Sequence, residues 1–160
     1  MQEMRLKGPQ AEGKRGQGRK DNEGIIMKKF YHPQMDLDKD KKVVFTAISK
    51  RIFYFRKHIS KFVLEQDCVP LNPFMNFDYF LGDIVDRDLV REANNVLAKC
   101  AEELWVFCPI SDGVLAEIKL YQKLRKPIRY FKVIDSKEIK EISKEEAELE
   151  DEVKEFRHEL

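Results

Sequence analysis

The sequence has no GxxxxGK[ST] phosphate loop, no GxGxxG fingerprint and no GxSxG nucleophile elbow. P-loop nucleotide hydrolysis, dinucleotide binding on a glycine-rich turn and α/β-hydrolase chemistry are therefore excluded in their usual forms. Histidine is scarce, and His32, His58 and His158 are too scattered for any two to have metal-ligand spacing. Cys68, Cys100 and Cys108 have no ligand spacing either, so no metal site is expected. Cys100 and Cys108 lie in or next to apolar elements and are expected to pack in the core. No apolar run is long enough to cross a membrane, and no apolar signal core follows Met1. A reducing cytoplasm is the expected compartment, with no membrane partner. Charge of one sign is lacking too. The 30 Lys and Arg against 29 Asp and Glu leave a net charge of +1, which argues against a nucleic-acid partner needing a basic face.

What is present suffices for a core. Apolar residues make up 42% of the 160 positions. Residues 1–24 are rich in Gly, Lys, Arg and Gln and have little to bury. Residues 1–40 are thus expected to be a flexible N-terminal arm and lead-in, and Met27 would serve as an alternative start. Residues 41–135 read as an α/β domain. Residues 43–48, VVFTAI, are short, apolar and β-branched, as in a strand. The spacing of Ile52, Phe55, Ile59, Phe62 and Val63 predicts a helix. Residues 68–71 read as a second strand, with Pro70 hinting at a sheet edge. Residues 72–82 hold Phe74, Phe77, Tyr79 and Phe80, which suits either a lid or pocket wall or plain packing. A helix is predicted over 86–100, with Leu89, Ala93, Val96, Leu97 and Cys100 as its buried stripe and Asp88, Arg91 and Asn95 on a polar line beside it.

Residues 104–109 begin as an uninterrupted apolar run, the pattern of a parallel strand buried on both faces. A turn then leads into the helical spacing of Val114, Ile118 and Tyr121, and residues 127–134 form another strand. Such alternation implies parallel strands with right-handed crossovers. The expected fold is an α/β, flavodoxin-like or Rossmann-like three-layer sandwich with about five mostly parallel strands. Residues 136–160 are charged, and the 4, 3, 4 spacing of Leu149, Val153, Phe156 and Leu160 predicts an amphipathic helix, packed on the sheet or on a partner chain.

In open α/β sheets ligands bind beyond the carboxyl ends of the strands. The turn after residues 104–109 opens a helix there, with Ser111 or Asp112 as its cap. Free N–H groups at such a helix start attract anions. Ser49, Lys50 and Arg51, after the first strand, face the same end. Glu117 sits further into the helix, within reach of the crevice. A carboxylate there could stabilise an oxocarbenium-like sugar or bond to it, as in retaining glycosidases.

The spacing S-x-G-x-x-x-E of Ser111, Gly113 and Glu117, followed by Lys126-Pro127-Ile128, resembles the nucleoside 2-deoxyribosyltransferase superfamily. That superfamily includes the 2'-deoxynucleoside 5'-phosphate N-hydrolases, and the resemblance covers roughly residues 43–133. It implies that Glu117 is the nucleophile attacking the anomeric carbon. Ser111 stands where the transferases have Asp and the nucleotide hydrolases a phosphate-binding Ser. Ser49, Lys50, Arg51 and Gly113 would hold the same phosphate. The family carries an Asp in the helix before the central strand. Here the count lands near Asn95, with Asp88 two turns earlier on the same line. The implied activity is hydrolysis or transfer of the N-glycosidic bond of a nucleoside or nucleoside 5'-monophosphate, in a homodimer and without a cofactor. A non-catalytic nucleotide-binding module on the same scaffold is the alternative.

Overall fold

The computed structural model describes residues 28–37, 39–78 and 81–160, with the backbone alone at Leu81 and Gly82. The expected arm over residues 1–27 lies outside the described residues, as do Tyr79 and Phe80 of the expected aromatic lid. Met1–Lys39 and Asp40–Leu160 are two compact units. The described part of the first holds a 3-10 turn, Pro33–Asp36, in which His32 accepts a hydrogen bond from the Gln34 N–H at 3.1 Å.

The second unit is a five-stranded α/β domain. Its elements run β1 (Val43–Ile48), a 3-10 segment (Lys50–Phe55), α1 (Arg56–Glu65), β2 (Val69–Leu71), α2 (Pro73–Asn76), α3 (Leu81–Ile84), α4 (Arg87–Cys100), β3 (Glu103–Cys108), α5 (Asp112–Leu124), β4 (Ile128–Ile134), β5 (Glu138–Ile142) and a final 3-10 helix (Asp151–Glu159). The sheet order is β2-β1-β3-β4-β5. β1 pairs parallel with β2 and β3, β3 pairs parallel with β4, and β5 alone runs antiparallel. This is the flavodoxin-like arrangement expected from the alternation of strands and helices.

The strands form where alternating side chains find cover on both faces. Phe45 and Ala47 of β1, with Leu104, Val106 and Cys108 of β3, join Ala98 of α4 and Val114, Leu115, Ile118 and Tyr121 of α5 in one cluster. On the other face Val44, Ile48, Trp105, Phe107 and Phe131 meet Ile59 and Val63 of α1. Two helix layers thus enclose the sheet. The second face is the more aromatic, with Trp105 and Phe131 rings 4.9 Å apart and Phe107 stacked on Phe131 at 5.1 Å. The chain reverses direction across the sheet between β1 and β3, which places the crevice between the loops after those two strands.

Three expectations need correction. The helix over 86–100 forms, but Leu89 and Val96 are 59% and 58% exposed, and Cys100 is exposed as well. Ala93 and Leu97 of the expected stripe do lie on the inward side, where Val90, Asn94 and Ala98 accompany them in place of Leu89, Val96 and Cys100. One residue turns a helix by 100°, so a stripe read one position off faces the wrong way. Cys68 and Cys108 are the buried cysteines, and burial pushes the Cys108 thiol up to about 11.

The third correction concerns residues 136–160, which are not one amphipathic helix. Asp135 and Ser136 both adopt positive φ (47° and 60°) and turn the chain into β5. The segment after β5 bridges parallel to Ile110, and only Asp151–Glu159 is helical, in 3-10 form. Leu149, Val153 and Leu160 still face inward, with Phe156 36% exposed at the rim. An inward-facing pattern of 4, 3, 4 is therefore satisfied by a short strap as well as by an α-helix.

Candidate active site

Helix α5 starts where β3 ends. Ser111 is its N-cap, with extended φ and ψ of −93° and 178°, and its hydroxyl accepts from the Val114 N–H at 3.5 Å. Asp112 accepts from the Gly113 N–H at 2.6 Å. A Cβ added at Gly113 would meet nothing within 4 Å, so the backbone of this turn is open. Across the crevice, Ser49 is 1% exposed and caps the 3-10 segment by accepting from the Arg51 N–H at 3.2 Å. Lys50 and Arg51 follow it on the surface.

Glu117 lies on the side of α5 that faces α4. The residue is half-buried, and burial of its carboxyl pushes the pKa from 4.5 up to about 7, against the smaller lowering effect of a hydrogen bond from Asn94. That bond runs from Asn94 Nδ2 to Glu117 Oε1 at 2.9 Å. A pKa near 7 lets one carboxyl serve in both protonation states at neutral pH. Asn94 Oδ1 is buried without a partner among the described residues. A buried acceptor without a donor costs about 1–3 kcal/mol, so the pair is a strained place in the packing.

The expected helper residues lie elsewhere. Asp88 is in the first turn of α4, its side chain 77% exposed and paired with Arg91 at 2.8 Å. Asn95 is exposed. Asn94, one position earlier, is the residue that reaches Glu117, and sequence reading missed it. The available signal was Ala98 and Ala101, which lie four and seven residues beyond Asn94 and are both fully buried. Small residues at that spacing mark the side of α4 closest to its neighbours.

Arg51 is engaged as well. Its Nε lies 3.2 Å from Oε2 of Glu150, on the strap that follows β5. The Glu150 N–H donates to the Ile110 carbonyl at 2.8 Å, which sets Glu150 beside the start of α5. Glu150 is 7% exposed, and its Oε1 has no partner among the described residues. No sequence signal singled it out, because it lies far along the chain in a run of charged residues.

Lys126 has a different job from the glutamate. Its ammonium donates to the carbonyls of Lys99 and Ala101 at 2.6 Å each, closing the end of α4. Tyr121 Oη donates to the Ala98 carbonyl at 2.6 Å. These bonds fix α4 against α5 and hence Asn94 against Glu117.

A separate hollow of about 490 Å³ opens near the start of β4, lined by Lys126, Arg129, Tyr130, Glu141 and Leu160 among others. Two of its charged groups are paired with each other: Arg129 grips Glu141 with bonds of 2.8 and 2.6 Å. The unmatched buried acceptors lie at Asn94 and Glu150 instead, so the carboxyl ends of β1 and β3 are the better site. Among the described residues no three His, Cys, Asp or Glu gather as a metal site, and no helix is long and apolar enough to cross a membrane.

A family model described as "Domain of unknown function (DUF7768)" matches residues 45–131, more than half of the chain. The chain belongs to the DUF7768 family. No curated protein matches it. The DUF7768 segment contains Ser49, Lys50, Arg51, Asn94, Ser111, Gly113 and Glu117, while Glu150 lies beyond its end. The strap thus adds to the crevice of the DUF7768 segment an acidic residue from outside it.

Proposed function

We propose that this DUF7768 protein hydrolyses or transfers the N-glycosidic bond of a nucleoside or nucleoside 5'-monophosphate, with Glu117 as nucleophile. The observation that carries this reading is the buried carboxyl of Glu117, poised near pH 7 and held by Asn94 beside the opening of α5. In the ionised form, a Glu117 oxygen bonds to the anomeric carbon as the glycosidic C–N bond breaks. The electron pair leaves with the base, which takes a proton from water. Water or a second base then displaces the carboxylate. Ser111, Gly113 and the loop Ser49, Lys50 and Arg51 border the crevice that would receive the rest of the substrate.

Incubation with a panel of deoxyribonucleosides, ribonucleosides and their monophosphates, followed by chromatography of free base, tests the reading. Nucleophilic attack needs the carboxylate, so kcat should rise with pH through an apparent pKa near 7. A falling limb in that window would instead make Glu117 a general acid. No free base from any member of the panel would remove the enzyme reading.

The alternative is a non-catalytic nucleotide-binding module. It is supported by the absence of a described second carboxylate at Glu117, since Asp88 pairs with Arg91 on the surface and Asn94 cannot titrate. A cytoplasmic homodimer belongs to the leading reading. Ile84, Val85, Leu89 and Val96 support the dimer by exposing apolar side chains on α3, α4 and their junction. Light scattering at micromolar concentration should then give twice the chain mass of 19.0 kDa, and a monomer would remove the dimer.

A further inference from the structure

We propose that Glu150 makes the crevice select a neutral hydrogen-bond donor and reject a phosphate, so that the substrate is an unphosphorylated nucleoside. This rests on the nucleoside reading above and narrows it. Two cations follow β1 at this end of the sheet, Lys50 and Arg51, and Arg51 already has an internal anion. Glu150 is buried, its Oε2 lies 3.2 Å from Arg51 Nε, and its amide is bonded to Ile110, the residue before the α5 N-cap.

A phosphate brought to Arg51 meets the negative charge of Glu150, whose side chain is only 8% exposed, and like charges repel. Asp151, the next residue, adds a second carboxylate to the same strap, itself paired with Lys154 at 2.5 Å. A hydroxyl meets the opposite situation. Glu150 Oε1 is an acceptor without a donor among the described residues, and a sugar hydroxyl supplies one. The Arg51 side chain, 64% exposed, is the group that moves aside to admit it.

The test uses the full chain and its Glu150→Gln variant, with the fold checked by circular dichroism. Base release is compared for a deoxynucleoside and its 5'-monophosphate. The wild type should favour the nucleoside in kcat/KM by about 100-fold, and Glu150→Gln should shrink that ratio by about tenfold or more through a gain on the monophosphate. Preference of the wild type for the monophosphate, or an unchanged ratio in the variant, overturns the proposal. In a second arm, inorganic phosphate is titrated while the amide signals of residues 49–51 and 111–113 are followed by NMR. The variant should respond at about tenfold lower phosphate than the wild type. Equal response in both proteins overturns the proposal even if no base is released from any nucleoside, a result that by itself would defeat only the glycosidic reading. Should Glu150→Gln fail to fold, Glu150→Ser removes the same charge and is held to the same outcomes.

Discussion

Glu117→Gln is expected to abolish base release, lowering kcat on the order of 10⁴-fold or more, because the replacement keeps shape but cannot attack carbon. The same change should make the protein more stable above pH 7. The Glu117 carboxyl titrates near 4.5 when solvated and at about 7 in the fold. Between those values the native state binds a proton that the unfolded state has released, so stability falls as pH rises through this window. Above pH 7 the native state carries a charge in a site that disfavours it. A shift of this size corresponds to roughly 3 kcal/mol if burial were complete, and the half-buried position reduces the expectation to roughly 1–3 kcal/mol. Thermal melts at pH 4.5 and pH 8 check this: Glu117→Gln should gain little at the lower pH and several degrees at the higher. A variant less stable at pH 8 than the wild type would make Glu117 a structural residue. One that still releases base at the wild-type rate would remove it as nucleophile.

Deletion of residues 145–160 should leave a chain without a cooperative unfolding transition. The strap is part of the core. Ala147, Leu149, Val153 and Leu160 are 0%, 8%, 3% and 7% exposed and share a cluster with Ile110, Val114 and Leu115. Its backbone exchanges two bonds of 2.8 Å with Ile110. Arg157 adds a hydrogen bond to the Ala147 carbonyl, and Lys119 of α5 pairs with Glu159. Burial of Leu149, Val153 and Leu160 alone is worth roughly 1.5–3 kcal/mol each, comparable in sum to the whole stability of an ordinary domain. Leu149→Ala is the milder companion and should cost about 2–5 kcal/mol. Denaturant titration followed by circular dichroism measures both. A truncated chain that melts cooperatively near the wild-type midpoint would show that the strap is only an accessory.

Which parts of this molecule were legible beforehand follows from the range of the interactions involved. β1, β3 and β4 are dense β-branched or apolar runs bounded by polar turns, and α5 follows β3 behind a serine cap. These are local signals. Their alternation prescribes the crossovers and so the position of the crevice at Ser49 and Ser111. Glu117 was legible for the same reason, as a carboxylate soon after that turn. The stripe of α4 was not. Leu89 and Val96 are more apolar than Asn94 and Ala98, and composition alone puts the larger hydrophobic residues inside. The close approach of α4 to α5, tied by Tyr121 and Lys126 to the last carbonyls of α4, favours the small residues instead.

By itself the sequence determined the α/β class and a mostly parallel sheet, and it pointed to the carboxyl-end loops and Glu117 as the candidate site. Those properties depend on residues within a turn or a strand of one another, where periodicity and capping act directly. Tertiary structure alone decided that Asn94 holds Glu117, that burial brings its pKa near 7, and that Glu150 answers Arg51. Each of these joins residues far apart in the chain, and their energies come from desolvation and from side-chain direction. Desolvation is a property of the assembled surroundings, and side-chain direction on a helix changes by 100° with each residue, so local spacing does not specify either one.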